Sequence, residues 1–294
     1  MEIHMDAHQI GTMLRQRRIK NLIPCVAYYA ICSVLALIFL FPLVWMFLST
    51  FKTSMEGAQV PPTYWPQHFS LESYLSLFTL GALQYLSNTI FVTALTIVLT
   101  IMLSVFAAYG FARFPFPGKN IAFVLILTGL MVPFTSIMTP LFVLLHSIGL
   151  QNSLFGLALV YTTFQLPFSI FVMRNSFESV PRELQEAALI DGCTPLTMLY
   201  RVMLPVAYPG VITIGLFTFF AAWNEFFAAL IFLSDNDNYT FPIYLVSALQ
   251  GQYGTINWNA LQAGVVISAL PCIVVFLILQ RYYIRGLMSG AVKA

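Results

Sequence analysis

The stretch Ser179-Val-Pro-Arg-Glu-Leu-Gln-Glu186-Ala-Ala-Leu-Ile-Asp-Gly192-Cys-Thr-Pro-Leu-Thr-Met-Leu-Tyr-Arg-Val-Met-Leu-Pro205 is a polar island between two apolar runs, 154–173 and 206–233. Ser179 is of a type that caps helix N-termini; Pro181 then falls in the first turn, and Glu183 suits the positive helix end. The helix so started is expected to run to about Ile190. Gly192 supplies the left-handed residue that stops it. Thr194-Pro195 is a second cap-and-start pair, so a second helix is expected to about Met203, closed by Pro205. The stretch therefore reads as a short helix–turn–helix hairpin.

Outward from the hairpin the chain is greasy. Of 294 residues, 59% are hydrophobic and 8% charged. A soluble domain carries about 25% charge. Too few charges exist to cover a water-soluble globule, and the same composition excludes disorder. A net charge of +2 with no basic stripe speaks against nucleic-acid binding.

Charges punctuate the apolar runs, and a spanning helix needs about 20 apolar residues. Six spans result: 24–50, 85–112, 120–145, 154–173, 206–233 and 260–280, with residues 1–23 and 282–294 as tails and 175–205 as the polar loop. Together 24–281 make one all-α membrane domain. The apolar run after the basic residues 15–20 is too long for a cleavable signal, so it reads as an uncleaved first span. With the N-terminus inside, Arg15, Arg17, Arg18, Lys20, Arg113, Lys119, Arg174, Arg182, Arg201, Arg281, Arg285 and Lys293 are all cytoplasmic, and Lys52 alone is outside. Both termini are thus expected in the cytoplasm of a multi-pass protein of the plasma (inner) membrane. The outer segments 51–84 and 234–259, rich in turn formers and aromatics, read as ordered loops.

Topology leaves the acids of the hairpin unexplained. Glu183, Glu186 and Asp191 sit on the side where basic residues predominate, and Ala187 and Ala188 leave a smooth patch. A partner protein with a positive groove would account for both features; an ordinary amphipathic surface helix is the other reading. Glu225 is the one acid within a span, which makes it a functional candidate by default. It binds sugar hydroxyls or it holds two helices together. Trp223 and Asn224 are candidates of the same kind. No phosphate loop occurs, because Gly118-Lys119 is followed by Asn120 and lacks the earlier glycine. No catalytic set and no metal cluster is evident. The pair His4 and His8 at the terminus is weak evidence for a metal, and the four cysteines have no ligand or redox spacing.

The residues Glu186-Ala187-Ala188, three residues, Gly192, nine residues, then Val202-Met203-Leu204-Pro205 resemble the EAA motif of ABC-importer permeases, with Val202 in place of Ile. The junction 107–119, the segment Ala222-Trp-Asn-Glu-Phe226 and the tail 285–293 resemble the shorter, six-span permease subunit of maltose-type sugar importers. The resemblance covers residues 20–294. It implies a type I ABC importer permease: a six-helix bundle whose Glu186 helix is a coupling helix. Glu183, Glu186, Ala187, Ala188, Asp191, Gly192, Leu204 and Pro205 are the residues it assigns to ATPase coupling. It further implies a second permease subunit, two ATPase subunits carrying ATP and Mg, and an extracytoplasmic solute-binding protein. The present chain would bind no cofactor and hydrolyse nothing. In the tail, Gly286, Ser289, Gly290 and Lys293 would reach the ATPase interface, a frayed terminus being the alternative. A permease for a non-sugar solute remains open. An ion-coupled secondary transporter is disfavoured, since no intramembrane ion ligands or paired halves are visible.

Overall fold

The computed structural model describes residues 7–79, 81–247 and 257–291, with side chains described for 24–79, 81–247 and 257–280. The chain divides into two compact units, one ending at Ser73 and one starting at Tyr74.

The first unit contains α1 (Ala7–Ser49), α2 (Ser54–Gly57) and the start of α3 (Glu72–Thr79). The helix α1 begins well before Pro24, so the basic run 15–20 lies on the same helix as the first apolar run. Its apolar part, Pro24–Ser49, leaves its side chains exposed or half-exposed except Ser49 at the very end.

Beyond it, residues 50–71 fold around two buried charges, Lys52 and Glu56. Glu56 Oε1 accepts from Thr63 Oγ1 and from Gln67 N, both at 2.9 Å. Lys52 Nζ donates to the Thr63 carbonyl and lies 5.9 Å from the Trp45 ring centroid. Charges survive burial when paired and hydrogen-bonded. Burial pushes the Glu56 carboxyl up, but hydrogen bonds from Gln67, Thr63 and the His68 backbone, with the Lys52 charge, bring it below the ordinary value of 4.5.

The second unit holds α4 (Ala82–Arg113), α5 (Lys119–Thr128), α6 (Phe134–Ser147), α7 (Leu154–Glu178), α8 (Arg182–Ile190), α9 (Pro195–Met198), α10 (Leu204–Trp223), α11 (Phe227–Phe232), α12 (Phe241–Ser247) and α13 (Trp258–Ala291). At its centre α4 packs on α7 and α10. The buried face of α4 carries Thr89, Thr93, Thr96, Thr100 and Ser104, spaced by three or four residues. Small hydroxyl residues let membrane helices approach closely. The α7–α10 contact is closer still: a Cβ on Gly210 would lie 2.2 Å from Ser176 Oγ, so only glycine fits.

Among the described residues, five helices are long and apolar enough to cross a membrane, or six if one bent pair counts as a span. That pair lies in the third expected span, 120–145, and is sharply bent. Its two parts, Lys119–Met131 and Phe134–Ser147, meet at 103°. Pro133 is the cause, since it lacks a donor and drives the preceding Val132 into extended backbone. The expected span 206–233 is also interrupted: α10 stops at Trp223, and α11 begins at Phe227. Two hairpin details are corrected too. Ser179 closes α7, donating its hydroxyl to Ser176 O, and Pro181 takes the N-cap position of α8. Pro205 does not end the second limb. The chain passes from α9 through a π-helical turn, Leu199–Met203, into α10 without a stop.

The charge pair at residues 52 and 56 makes the first unit acid-sensitive. A depressed carboxyl pKa contributes stability that is present above the unfolded value and lost as pH falls through the folded one. Amide hydrogen exchange of residues 50–70 should therefore accelerate as pH drops below about 4.5, after correction for intrinsic rates. Glu56→Gln should show the faster exchange already at neutral pH and lose that pH dependence.

Candidate functional site: the polar hairpin and the broken span

The helix α8 ends in a Schellman motif. Gly192 has φ +77°, its N–H donates to Leu189 O at 3.0 Å, and the Cys193 N–H reaches Ala188 O at 2.9 Å. These are the two bonds that close a helix through a left-handed residue, with Cys193 packed near Ala188 as the accompanying contact. Thr194 caps α9, its Oγ1 accepting from Thr197 N at 3.3 Å, with Pro195 in the first turn. The turn between α8 and α9 is therefore shaped by the left-handed Gly192 and the Thr194 cap.

Only Ala188 of α8 is buried. Glu183, Glu186, Ala187 and Ile190, spaced by three, one and three residues, share the opposite face, and all four are exposed, Ile190 to 86%. Asp191 is exposed at the helix end. Leu204 and Pro205 lie elsewhere. They sit at the base of α10 and line an apolar cleft of about 420 Å³ with Val105, Phe106, Tyr200 and Tyr208. Pro205 cannot donate to the carbonyl four residues back, and the π-turn fits this lack; Leu204 N bonds Leu199 O, five residues earlier.

The break at 224–226 has its own support. Glu225 Oε1 accepts from Ala228 N at 2.7 Å, and Oε2 accepts from Ala229 N at 3.0 Å and from Tyr161 OH at 2.6 Å. The carboxylate thus caps α11 and ties it to α7. Trp223 is buried and donates from Nε1 to Ser268 O of α13 at 3.0 Å. Asn224 is exposed and donates back to Phe220 O at 2.9 Å. The three residues sit together, but Glu225 and Trp223 are engaged in holding helices.

Sequence reasoning missed two further sets. Asn152, at φ +52°, accepts through Oδ1 from Ser234 N at 2.8 Å and Asp235 N at 3.1 Å, while Nδ2 donates to Asp235 Oδ2. It clasps the α6–α7 turn to the segment after α11; the available signal was a turn asparagine in Gln151-Asn-Ser153. At the C-terminal end of α4, Tyr109 donates to Pro195 O at 3.1 Å, and Arg113 Nη2 donates to Phe177 O at 2.5 Å and Val180 O at 2.7 Å. Their spacing of four was visible, their partners were not. Of the tail residues, Gly286, Ser289 and Gly290 lie on the α13 backbone, and Lys293 lies outside the described residues.

Residues 100–289 match the family model described as binding-protein-dependent transport system inner membrane component. The chain belongs to this family of permeases. It is 40% identical over 259 residues to the "Probable ABC transporter permease protein YurM" of Bacillus subtilis, covering 86% of this chain and 83% of that one. It is 34% identical over 262 residues to the sulfoquinovosyl glycerol transport system permease protein SmoH of Agrobacterium fabrum, covering 89% and 91%. A crystal structure of a bacterial ABC transporter involved in the import of the acidic polysaccharide alginate superposes with a TM-score of 0.79 at 24% identity, over 92% of this chain and 98% of that chain. The fold is accordingly that of an all-α ABC importer permease.

In this permease, Glu225→Ala would strand two backbone donors and a tyrosine hydroxyl. It should cost on the order of 1–3 kcal/mol, read as a lowered thermal midpoint in detergent, with Tyr161→Phe costing less. Gly192→Ala should cost roughly 1–2 kcal/mol for placing a side chain in the left-handed region.

Proposed function

We propose that this permease forms half of the translocation pathway of a sugar or oligosaccharide importer, and that α8 docks on a separate cytoplasmic ATPase. The observation that carries the docking is the outward face of α8, where Glu183, Glu186, Ala187 and Ile190 stand free of the bundle. A helix aimed by a Schellman turn, with two carboxylates, a small patch and an exposed isoleucine, suits a groove with positive walls. Supporting a saccharide cargo, the relative SmoH is named for sulfoquinovosyl glycerol transport and the fold neighbour for alginate import. The family description supports a solute-binding protein outside. The hairpin and both termini would then face the cytoplasm, as the basic residues require.

The remaining parts follow the same reading. A second permease subunit completes the pathway, and two ATPase subunits carry the ATP and Mg. ATP shifts the permease between inward-open and outward-open states by binding one arrangement of the complex more tightly. Of the three residues at the broken span, Asn224 is the one we assign to sugar contact, because its side chain is exposed; Trp223 and Glu225 shape the pathway by holding it. Residues 286–293 of α13 and its tail approach the ATPase dimer.

Co-purification from the native host should bring down an ATPase subunit with this chain, and a panel of saccharides with the binding protein should stimulate its ATP hydrolysis. Glu186→Lys should abolish both ATPase retention and uptake, while Asn224→Ala should weaken the apparent affinity for the stimulating sugar with ATPase retention unchanged. Uptake should collapse on ATP depletion and survive an uncoupler. Full uptake by a Glu186→Lys complex would remove the docking role.

A further inference from the structure

Besides the chain itself, the hairpin is joined to the bundle by a second connection. Arg113, the last residue of α4, places both Nη2 hydrogens on carbonyls that precede α8: Phe177 O at the end of α7 and Val180 O in the link to α8. One turn earlier, Tyr109 donates its hydroxyl to Pro195 O, just after α8. The two residues are four apart and so share a helix face. Their bonds bracket α8 on both sides.

Packing holds the same contact. Tyr109 sets its ring edge-on to Phe177, with centroids 5.9 Å apart, and to Phe114 at 5.4 Å. Val105, Ala108, Phe177, Ala188 and Met198 belong to one buried cluster with it. The Arg113 cation also sits where a helix C-terminus concentrates partial negative charge, so free carbonyls can satisfy it.

We propose that Tyr109 and Arg113 form a latch that fixes the α8 hairpin to the inner end of α4, so that displacement of α8 is carried into α4 directly. The proposal rests on α8 as the ATPase-docking helix. Without the latch, α8 hangs from α7 and α9 by two short links, 179–181 and 191–194, and would swivel on them. With it, movement enters a helix of 32 residues, about 48 Å long at 1.5 Å per residue. The far end of that helix is itself fastened. Gln84 and Asn88 donate to Asp237 O at 3.0 and 2.8 Å, and Thr89 Oγ1 accepts from Phe241 N at 2.8 Å. The latch therefore makes α4 a rod between the inner hairpin and the outer segment 237–241. Tyr109 and Arg113 are positioning residues and need touch no substrate.

The test uses the assembled importer in nanodiscs, with Cys25, Cys32, Cys193 and Cys272 replaced by serine. Nitroxide labels on Leu189→Cys of α8, which lies off the proposed docking face, and Val98→Cys of α4, both exposed, report the inter-label distance by pulsed electron resonance. Mg-ATP with vanadate is the probe. In the parent, the distribution should stay narrow with and without the probe. In Tyr109→Phe, which removes one oxygen and keeps the ring, and in Arg113→Met, it should broaden at least two-fold, and Arg113→Lys should recover part of the narrowness. Should Arg113→Met fail to fold, Tyr109→Phe decides. An unchanged width in Tyr109→Phe would overturn the latch. A parent chain that retains no ATPase would instead overturn the docking reading, and the probe-free width would still decide whether the latch holds.

Discussion

In hydrocarbon no water is available to a backbone N–H or C=O, so every interruption of a spanning helix must be satisfied from within the protein. This permease meets the demand at its broken span with a side chain, and it supports other helix ends and turns in the same way. Glu225 supplies acceptors to the first amides of α11. Arg113 supplies a donor to the last carbonyls of α7 and the link beyond it. Asn152 supplies both at the α6–α7 turn. A chain with only 8% charged residues thus places several of its polar groups against its own backbone. An acid in a span invites a catalytic or binding reading, but here the geometry accounts for it as a cap.

The same demand explains why the breaks are local and the bundle between them is tight. On α4 the buried positions up to Ala108 are threonine, serine, alanine and valine, with Tyr109 after them, and between α10 and α7 the missing side chain of Gly210 lets the backbone approach Ser176. Such a contact cannot deform smoothly; helices packed this closely move together or change register.

Much of this was legible in the sequence. Charge punctuation located the apolar segments, and Gly192 and Thr194-Pro195 announced the hairpin turn, because a left-handed stop and an N-cap are local properties of the chain. The failures share a cause. Pro133 and Pro205 look alike in sequence, yet one bends two helices by 103° and the other leaves a continuous helix with a π-turn. What decides is whether neighbouring groups can absorb the lost bond, and that is a tertiary fact. Ser179 looked like the start of α8 because serine caps well; α7 simply ran five residues further than its apolar pattern, to Glu178, and took Ser179 as its own end. Tyr161 and Glu225, 64 positions apart, could not be paired by any reading of the chain alone.

The two halves of the Glu186–Pro205 motif do different mechanical work. The first half, Glu186 to Gly192, builds and aims a short exposed helix. The second half, ending in Leu204-Pro205, governs the root of α10. An ordinary α-helical register would set the Pro205 ring against the carbonyl four residues back. The π-turn Leu199–Met203 widens the helix there and lets it continue, so Pro195–Trp223 is one uninterrupted apolar helix. A hairpin that ended at Pro205, as its sequence suggested, would hang from the bundle by a flexible joint. The observed one is rooted in a helix that ends at Trp223, beside the carboxylate-capped break. In the proposed mechanism, tilting α8 therefore turns the inner root of that helix, and the turn is delivered to the point where the span is already broken.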